Sequence, residues 1–330
     1  MNPELARLLS ALQANYFFGQ MRVAKEDPLI IETERGLKRI RIWENEALLK
    51  LHLKWRERLV NDRFFIDRMY VTRSGLPSIR IGHYSVTCHD APSNSANLEG
   101  NEVLWADLLA YLHRYSRDVP VGDITVSAST RVHTMYEQAK QMGYEKSGTW
   151  KMVSACFSSA SARANEADRL RDSYQHRNSA FLLPDDFSRG SCTALFDTLF
   201  FELGQSRPSD GCRSLARFCL NECMGQREQT VRKLFQELMV RDFFDQETSD
   251  LMQAEWLEPD EWLSLVESCD RMGQEQDAEA TLNSFKQLWD RKVQLINLFE
   301  SVLSQSGEAG GGAEFGADGQ QSNQSNTLSL

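Results

Sequence analysis

Apolar positions follow two different periods along this chain, and the change between them divides it. From Gln20, the stretch QMRVAKEDPLIIETERGLKRIRIW alternates short apolar pieces with turn signals at Asp27-Pro28 and Arg35-Gly36, the pattern of antiparallel strands. From Asn45 the period lengthens: Leu48, Leu49, Leu51, Trp55 and Leu59 recur at helical spacing and predict one amphipathic helix. DRMYVTRS and PSIRIGHYSVTC, separated by a turn signal at Ser74-Gly75, predict a second hairpin. In ANLEGNEVLWADLLAYLHRYS, Val103, Leu104, Leu108, Leu112 and Tyr115 share a broad helical face that suits a connecting helix.

The second half is mostly helical by the same test. SASTRVHTMYEQAKQMG has Ser129 or Thr130 to start a helix and Gly143 to stop it. One expected strand pair interrupts, AFLLP and CTALFDTLFF, separated by the turn-rich DDFSRGS. Helical runs then continue, with Pro259 at a first-turn position, to the long DAEATLNSFKQLWDRKVQLINLFESVL. The tail 304–330 is rich in Gly, Gln, Ser and Asn and buries too little apolar surface to offset ordering, so disorder is expected there. The expected organisation is a strand-rich lobe at 1–100, a helical lobe at 101–303 and the tail, an α+β protein.

Composition narrows the classes. Lys+Arg 37 against Asp+Glu 47, with no basic run, argues against a nucleic-acid partner. The apolar runs are far shorter than the ~20 residues of a membrane span. Seven cysteines at irregular spacings without a CxxC pair argue against a disulfide framework or a zinc knuckle, and predict reduced thiols in a cytoplasmic chain. Alternation sends His83 and His89 to one strand face and Cys88 to the other, a poor metal cage, while Cys212, Cys219 and Cys223 form an apolar helix stripe.

Three places suit phosphoryl transfer, which needs a cation for the phosphates, a carboxylate near the acceptor hydroxyl and further ligands for Mg²⁺. Lys38 lies in a strand followed by a helix carrying Glu46 and Glu57; the alternative has Lys38, Arg39 and Arg41 alternating on a solvated strand edge. His176 precedes a short apolar strand, as in catalytic loops where an aspartate two residues on takes the hydroxyl proton and an asparagine five further on takes a metal. Those positions hold Asn178 and Leu183, neither able to do that work; the alternative is an ordinary, partly buried histidine. Asp197 stands nineteen residues after Asn178, either a Mg²⁺ carboxylate or a strand-end turn cap.

TERGLKRIRIWENEALLKLHLKWRERL followed by FIDRMYVTRSGLPSI resembles the N-terminal lobe of the CotS/YutH family of spore-coat-associated proteins. WADLLAYLHRYS resembles its connecting helix, and ALFDTLFFELGQSRPSDGCRSLARF its metal-strand segment, with Ser214 in place of a structural aspartate. The resemblance spans roughly residues 20–240 and implies a two-lobed protein-kinase-like fold, similar to aminoglycoside phosphotransferases and choline kinases, with a small antiparallel-sheet N-lobe and a mostly helical C-lobe. It would put Lys38 at the nucleotide-lysine position, Asn178 at the catalytic aspartate, Leu183 at the metal asparagine and Asp197 at the metal aspartate.

A degenerate, pseudokinase-like site therefore implies a structural or assembly component of the spore coat, made in the mother cell, with other coat proteins as partners. Two rivals stay open. One is an ATP-dependent small-molecule or sugar phosphotransferase with a rearranged site around Asp197 and Asp185 or Asp186 as base. The other is a module in which Lys38 holds ATP, with or without Mg²⁺, and transfers nothing.

Overall fold

The computed structural model describes residues 3–92, 96–116, 126–174, 181–195, 198–269 and 275–309. Two compact units form, Met1–Gly122 with Arg177–Phe218, and Asp123–His176 with Cys219–Leu330.

In chain order the first unit contains α1 (Pro3–Asn15), β1 (Met21–Lys25), β2 (Ile30–Thr33), β3 (Gly36–Trp43), α2 (Glu46–Arg58), β4 (Phe65–Ile66), β5 (Met69–Tyr70), β6 (Ile79–Ile81), β7 (Tyr84–Asp90) and α3 (Glu102–Tyr115). The second unit opens with α4 (Ala128–Gln141) and α5 (Trp150–Asp172). The chain then returns to the first unit for β8 (Leu182–Pro184), β9 (Cys192–Leu195), β10 (Thr198–Phe201) and β11 (Pro208–Asp210). It leaves along α6 (Gly211–Met224), followed by α7 (Glu228–Met239), α8 (Gln246–Leu257), α9 (Asp260–Ser268) and α10 (Glu275–Ala309).

The main sheet is antiparallel in the order β1-β2-β3-β7-β5, with β6 also paired to β7. The two hairpin regions expected from alternation are thus joined through β3 and β7, in register from Lys38↔Asp90 to Trp43↔Ser85. Alternation divides β3 into two faces, Lys38 and Ile40 on one, Arg39, Arg41 and Trp43 on the other. Ile40 packs with Ile31, Val86 and Cys88 against Leu8, Leu12 and Tyr16 of α1, a helix the sequence reading did not include. On the other face α2 starts where Asn45 accepts from the Leu48 N–H at 3.1 Å, and buries Leu49, His52 and Trp55.

The strands of residues 182–210 differ from expectation. β8 does not pair with the run after it; it pairs with β11, Leu183 opposite Ser209. The run CTALFDTLFF is two antiparallel strands, β9 and β10, paired from Leu195↔Thr198 to Cys192↔Phe201, and β10 also runs parallel to β4. No Gly or Pro marks the reversal, and the polar Asp197-Thr198 is its only sequence signal. Buried Trp105, Leu108, Leu109 and Leu112 of α3 anchor this region, and the Ser116 hydroxyl accepts from the Leu182 N–H at 2.8 Å.

In the second unit α4, α5 and α9 surround an aromatic core in which Tyr136 stacks on Phe157 with ring centroids 3.9 Å apart, beside Trp150 and Trp262. Within the same unit, Glu261 receives Arg163 and Lys292, each at 2.7 Å. α10 continues through Ala309, so residues 304–309 of the expected disordered tail are helical; residues 310–330 lie outside the described residues. All seven cysteines are free thiols and all but Cys156 are buried. Among the described residues no helix is long and apolar enough to cross a membrane.

Candidate functional site

Lys38 sits on the α1 side of β3, which is a central strand, so the solvated-edge alternative is corrected: its side chain is 1% exposed. Its Nζ lies 2.8 Å from Asp90 Oδ1, donates to the Arg35 carbonyl and stands 4.9 Å from the centre of the Tyr70 ring. The Tyr70 hydroxyl donates to the same Asp90 oxygen at 2.9 Å, and burial, with that carboxylate, raises its pKa. The expected pairing of Lys38 with a glutamate of the next helix is also corrected. Glu46 instead meets Lys50 at 3.0 Å and Arg80 at 3.2 Å, and Glu57 is exposed.

The α2 side of β3 carries the densest set of ionic contacts in this unit. Arg41 Nη1 donates to Asp67 Oδ2 at 2.6 Å, and Arg56, in the last turn of α2, donates to the same carboxylate and to the Asp67 carbonyl. His89 of β7 places Nδ1 3.1 Å from Asp67 Oδ1 and Nε2 2.7 Å from Thr87 Oγ1. Asp67 is wholly buried with φ 39°, a left-handed backbone that Asp tolerates better than most residues. Burial alone would raise its carboxyl pKa; the Arg41 and Arg56 guanidiniums overcome that and hold it well below the usual range. Burial drives the His89 and His52 imidazoles down to about 4, so both are neutral at pH 7.

Glu202, directly after β10, joins this group. Its Oε2 lies 2.6 Å from Arg39 Nη1 and 3.7 Å from Arg41 Nη2. Burial raises its pKa, with the two guanidiniums acting against it. The Glu202 N–H donates to the Ser191 carbonyl at 2.8 Å, which fixes the start of β9 beside the end of β10. Two residues further on, Gly204 takes φ 68°. Ser206 then donates to Asp186 Oδ1 at 2.5 Å, while its carbonyl lies 2.8 Å from His52 Nε2. Gln205 Nε2 donates to the Ile42 carbonyl at 2.8 Å. The segment after β10 is thereby held by β3, by α2 and by Asp186.

Of the residues singled out from sequence, His176, Asn178 and Asp197 lie outside the described residues, and Leu183 is fully buried in the middle of β8. The connection between β8 and β9 has the spacing sought eight residues earlier: Pro184-Asp185-Asp186-Phe187-Ser188-Arg189-Gly190-Ser191 sets Ser191 five after Asp186. Asp186 is exposed, and Phe187 is anchored among Trp105, Phe201 and Phe218. The Ser191 hydroxyl accepts from the Ser188 N–H at 3.1 Å in a capping box, and so serves the local turn. Ser214, at the resemblance's aspartate position, shares a 2.7 Å hydrogen bond with Ser209 of β11.

Arg39, Arg41, Arg56, Asp67 and Glu202 were not singled out as a group by the sequence reading. The available signals were the odd-numbered arginines of β3 and an acidic residue directly following LFF. The strand cations, the Glu202 carboxylate behind a hairpin and the exposed Asp186 on the preceding connection supply some, not all, of what phosphoryl transfer needs. A divalent cation does not fit them. Mg²⁺ wants near-octahedral oxygen ligands, whereas Glu202 is engaged by two guanidiniums and Ser191 by its own turn. Among the described residues no group of three His, Cys, Asp or Glu side chains could hold a metal ion.

No family model and no curated protein matches the chain. Solved structures do. An aminoglycoside phosphotransferase from Alicyclobacillus acidocaldarius is 12% identical with a TM-score of 0.66, over 91% of this chain and 96% of that one. A spectinomycin phosphotransferase, solved with ADP and spectinomycin, is 12% identical with a TM-score of 0.53, over 90% and 98%. At this identity the likeness establishes the fold: this chain has the two-lobed α+β, kinase-like architecture of aminoglycoside phosphotransferases, with an antiparallel-sheet N-terminal region and a helical C-terminal part.

Proposed function

We propose that this protein is a kinase-like scaffold that binds through its phosphotransferase fold without transferring phosphate, and that it serves assembly of the bacterial spore coat. The observation that carries the first half is the Arg39–Glu202 ion pair at 2.6 Å, with Arg41 behind it at 3.7 Å. The strand cations that could face phosphates are already taken up by a carboxylate of the chain itself. The coat role rests on the sequence resemblance to the CotS/YutH proteins, and its partners would be other coat proteins. A fluorescent fusion expressed during sporulation tests it: a ring around the forespore, with altered coat protein content in a deletion strain, is expected. Signal dispersed in the cytoplasm with intact coats in the deletion strain would remove the coat assignment.

A second reading, a working small-molecule phosphotransferase, is favoured by one specific feature. Asp186 is exposed, its carboxylate is oriented by Ser206, and Ser191 sits at the right spacing beyond it. In that reading Asp186 is the general base, and an ATP-dependent turnover exists that Asp186→Asn lowers by about 10²–10⁴.

A further inference from the structure

In the second unit α4 and α9 pack into one core, and the last turns of both helices line an open cavity of about 250 Å³. Gly143, at φ 77°, donates its N–H to the Lys140 carbonyl at 2.9 Å and ends α4, a conformation that glycine adopts without steric cost. The chain passes from there into a short helical turn, Tyr144–Lys146, which sets Tyr144 against the same cavity. Of the other lining residues Ala139 and Val266 are buried, Met135 is half-buried and Met142 is 65% exposed. Two flexible thioethers and a ring give an apolar lining that adapts to the shape of a guest.

The electrostatics of this cavity have one sign. Each helix C-terminus carries negative partial charge on its last carbonyls, about half an elementary charge. Glu267, exposed in the last turn of α9, adds a full charge and is the only charged side chain lining the cavity. The last turn of α9 carries no Lys or Arg, and Lys140 in that of α4 is drawn to Glu137 at 3.0 Å and to the Tyr136 ring at 4.3 Å. The start of α4, about 20 Å away along the helix axis, is served instead by Asp168, which accepts from the Ala128 and Ser129 N–H groups at 2.8 and 2.9 Å. A bare metal ion does not suit the cavity, because its lining offers a single carboxylate. Apart from any binding at Arg39 and Glu202, we propose that this cavity takes a small organic cation, a protonated amine on an apolar body the size of one ring. The ammonium faces Glu267 and the two helix ends, and the body lies among Met135, Met142 and Tyr144.

NMR titration of the full chain, isotope-labelled on its methionine methyl groups, tests this at neutral pH with three probes of matched shape: phenethylamine, the neutral phenethyl alcohol and the anionic phenylacetate. Phenethylamine is expected to shift the Met135 and Met142 methyl resonances and to bind about tenfold tighter than the alcohol, the joint effect of a carboxylate, two helix ends and a ring face. Phenylacetate is expected to bind weakest. Because Glu267 is exposed, Glu267→Gln is expected to leave the melting temperature and alcohol binding unchanged while weakening amine binding by about fivefold. No shift of either methyl at millimolar amine, equal affinity for amine and alcohol, or an undiminished preference for the amine in Glu267→Gln would overturn the proposal. Saturable shifts confined to other methionines would overturn it as well, since the amine would then be bound elsewhere.

Discussion

Replacing Asp67 with Asn isolates the electrostatic role of the buried cluster. Asn is close in shape to Asp and, like it, tolerates the left-handed backbone at φ 39°, so the substitution removes a charge with little steric or backbone cost. What it leaves is Arg41 at 3% exposure and Arg56 at 12%, both having lost their shared carboxylate. Removing one partner of a buried ion pair costs about 3–5 kcal/mol, because the remaining charge stays desolvated. For a unit of this size each kcal/mol moves the midpoint by about 2–4 °C, so a fall of about 6–20 °C is expected. Thermal unfolding followed by tryptophan fluorescence is a suitable assay, since Trp43 donates to Thr87 Oγ1 at 2.8 Å beside the cluster. Adding Arg41→Gln to Asp67→Asn removes one of the orphaned charges, and the pair is expected to lose less than the sum of the single variants. A fall below about 2 °C for Asp67→Asn, or strict additivity in the double variant, would show that this carboxylate does not hold the arginines in place.

Three further outcomes are expected. The His52 and His89 imidazoles are lowered to about 4 in the folded protein against about 6.5 when unfolded, so the unfolded chain binds more protons between those values. Their contribution to stability is full above pH 6.5 and is lost as pH falls toward 4, and melting temperatures measured from pH 7 to pH 4.5 should decline steadily; a flat profile would contradict neutral buried imidazoles. Gly211→Ala would bring a Cβ within 2.2 Å of the Phe181 ring, and overpacking of this kind costs about 1–3 kcal/mol, measurable as a lowered denaturation midpoint. Burial raises the Cys88 thiol to about 12 and the Cys223 thiol to about 11, and half-buried Cys156 is the most accessible of the seven. A thiol reagent at pH 8 should therefore label Cys156 first and the others only on unfolding; rapid modification of several thiols in the native state would speak against this packing.

Local pattern carried much of the fold. The alternation of residues 20–43 and the helical period from Asn45 correspond to β1–β3 and α2, because each depends on neighbours a few residues away. The β9–β10 reversal escaped that logic, since no Gly or Pro marks it and only Asp197 and Thr198 interrupt the apolar run. So did α1, although Leu5, Leu8, Leu9 and Leu12 recur at helical spacing. The site was less legible. Lys38 drew attention as a strand lysine, yet one step of alternation turns it toward α1 and turns Arg39 and Arg41 toward α2. The partners that define those arginines are distant in sequence: Arg41 meets Asp67 across 26 residues and Arg39 meets Glu202 across 163. No local pattern announces a buried carboxylate whose counter-ions lie on other elements.

The measurement that bears most directly on the central reading is the fate of the γ-phosphate of saturating Mg-ATP, followed by phosphorus NMR over hours, for the wild type and Asp186→Asn. The account predicts loss of ATP at the background rate, indistinguishable between the two proteins and unchanged by added aminoglycosides, choline or sugars. Turnover in the wild type that drops by two or more orders of magnitude in Asp186→Asn would contradict it, and would make the Asp186 connection a working catalytic loop.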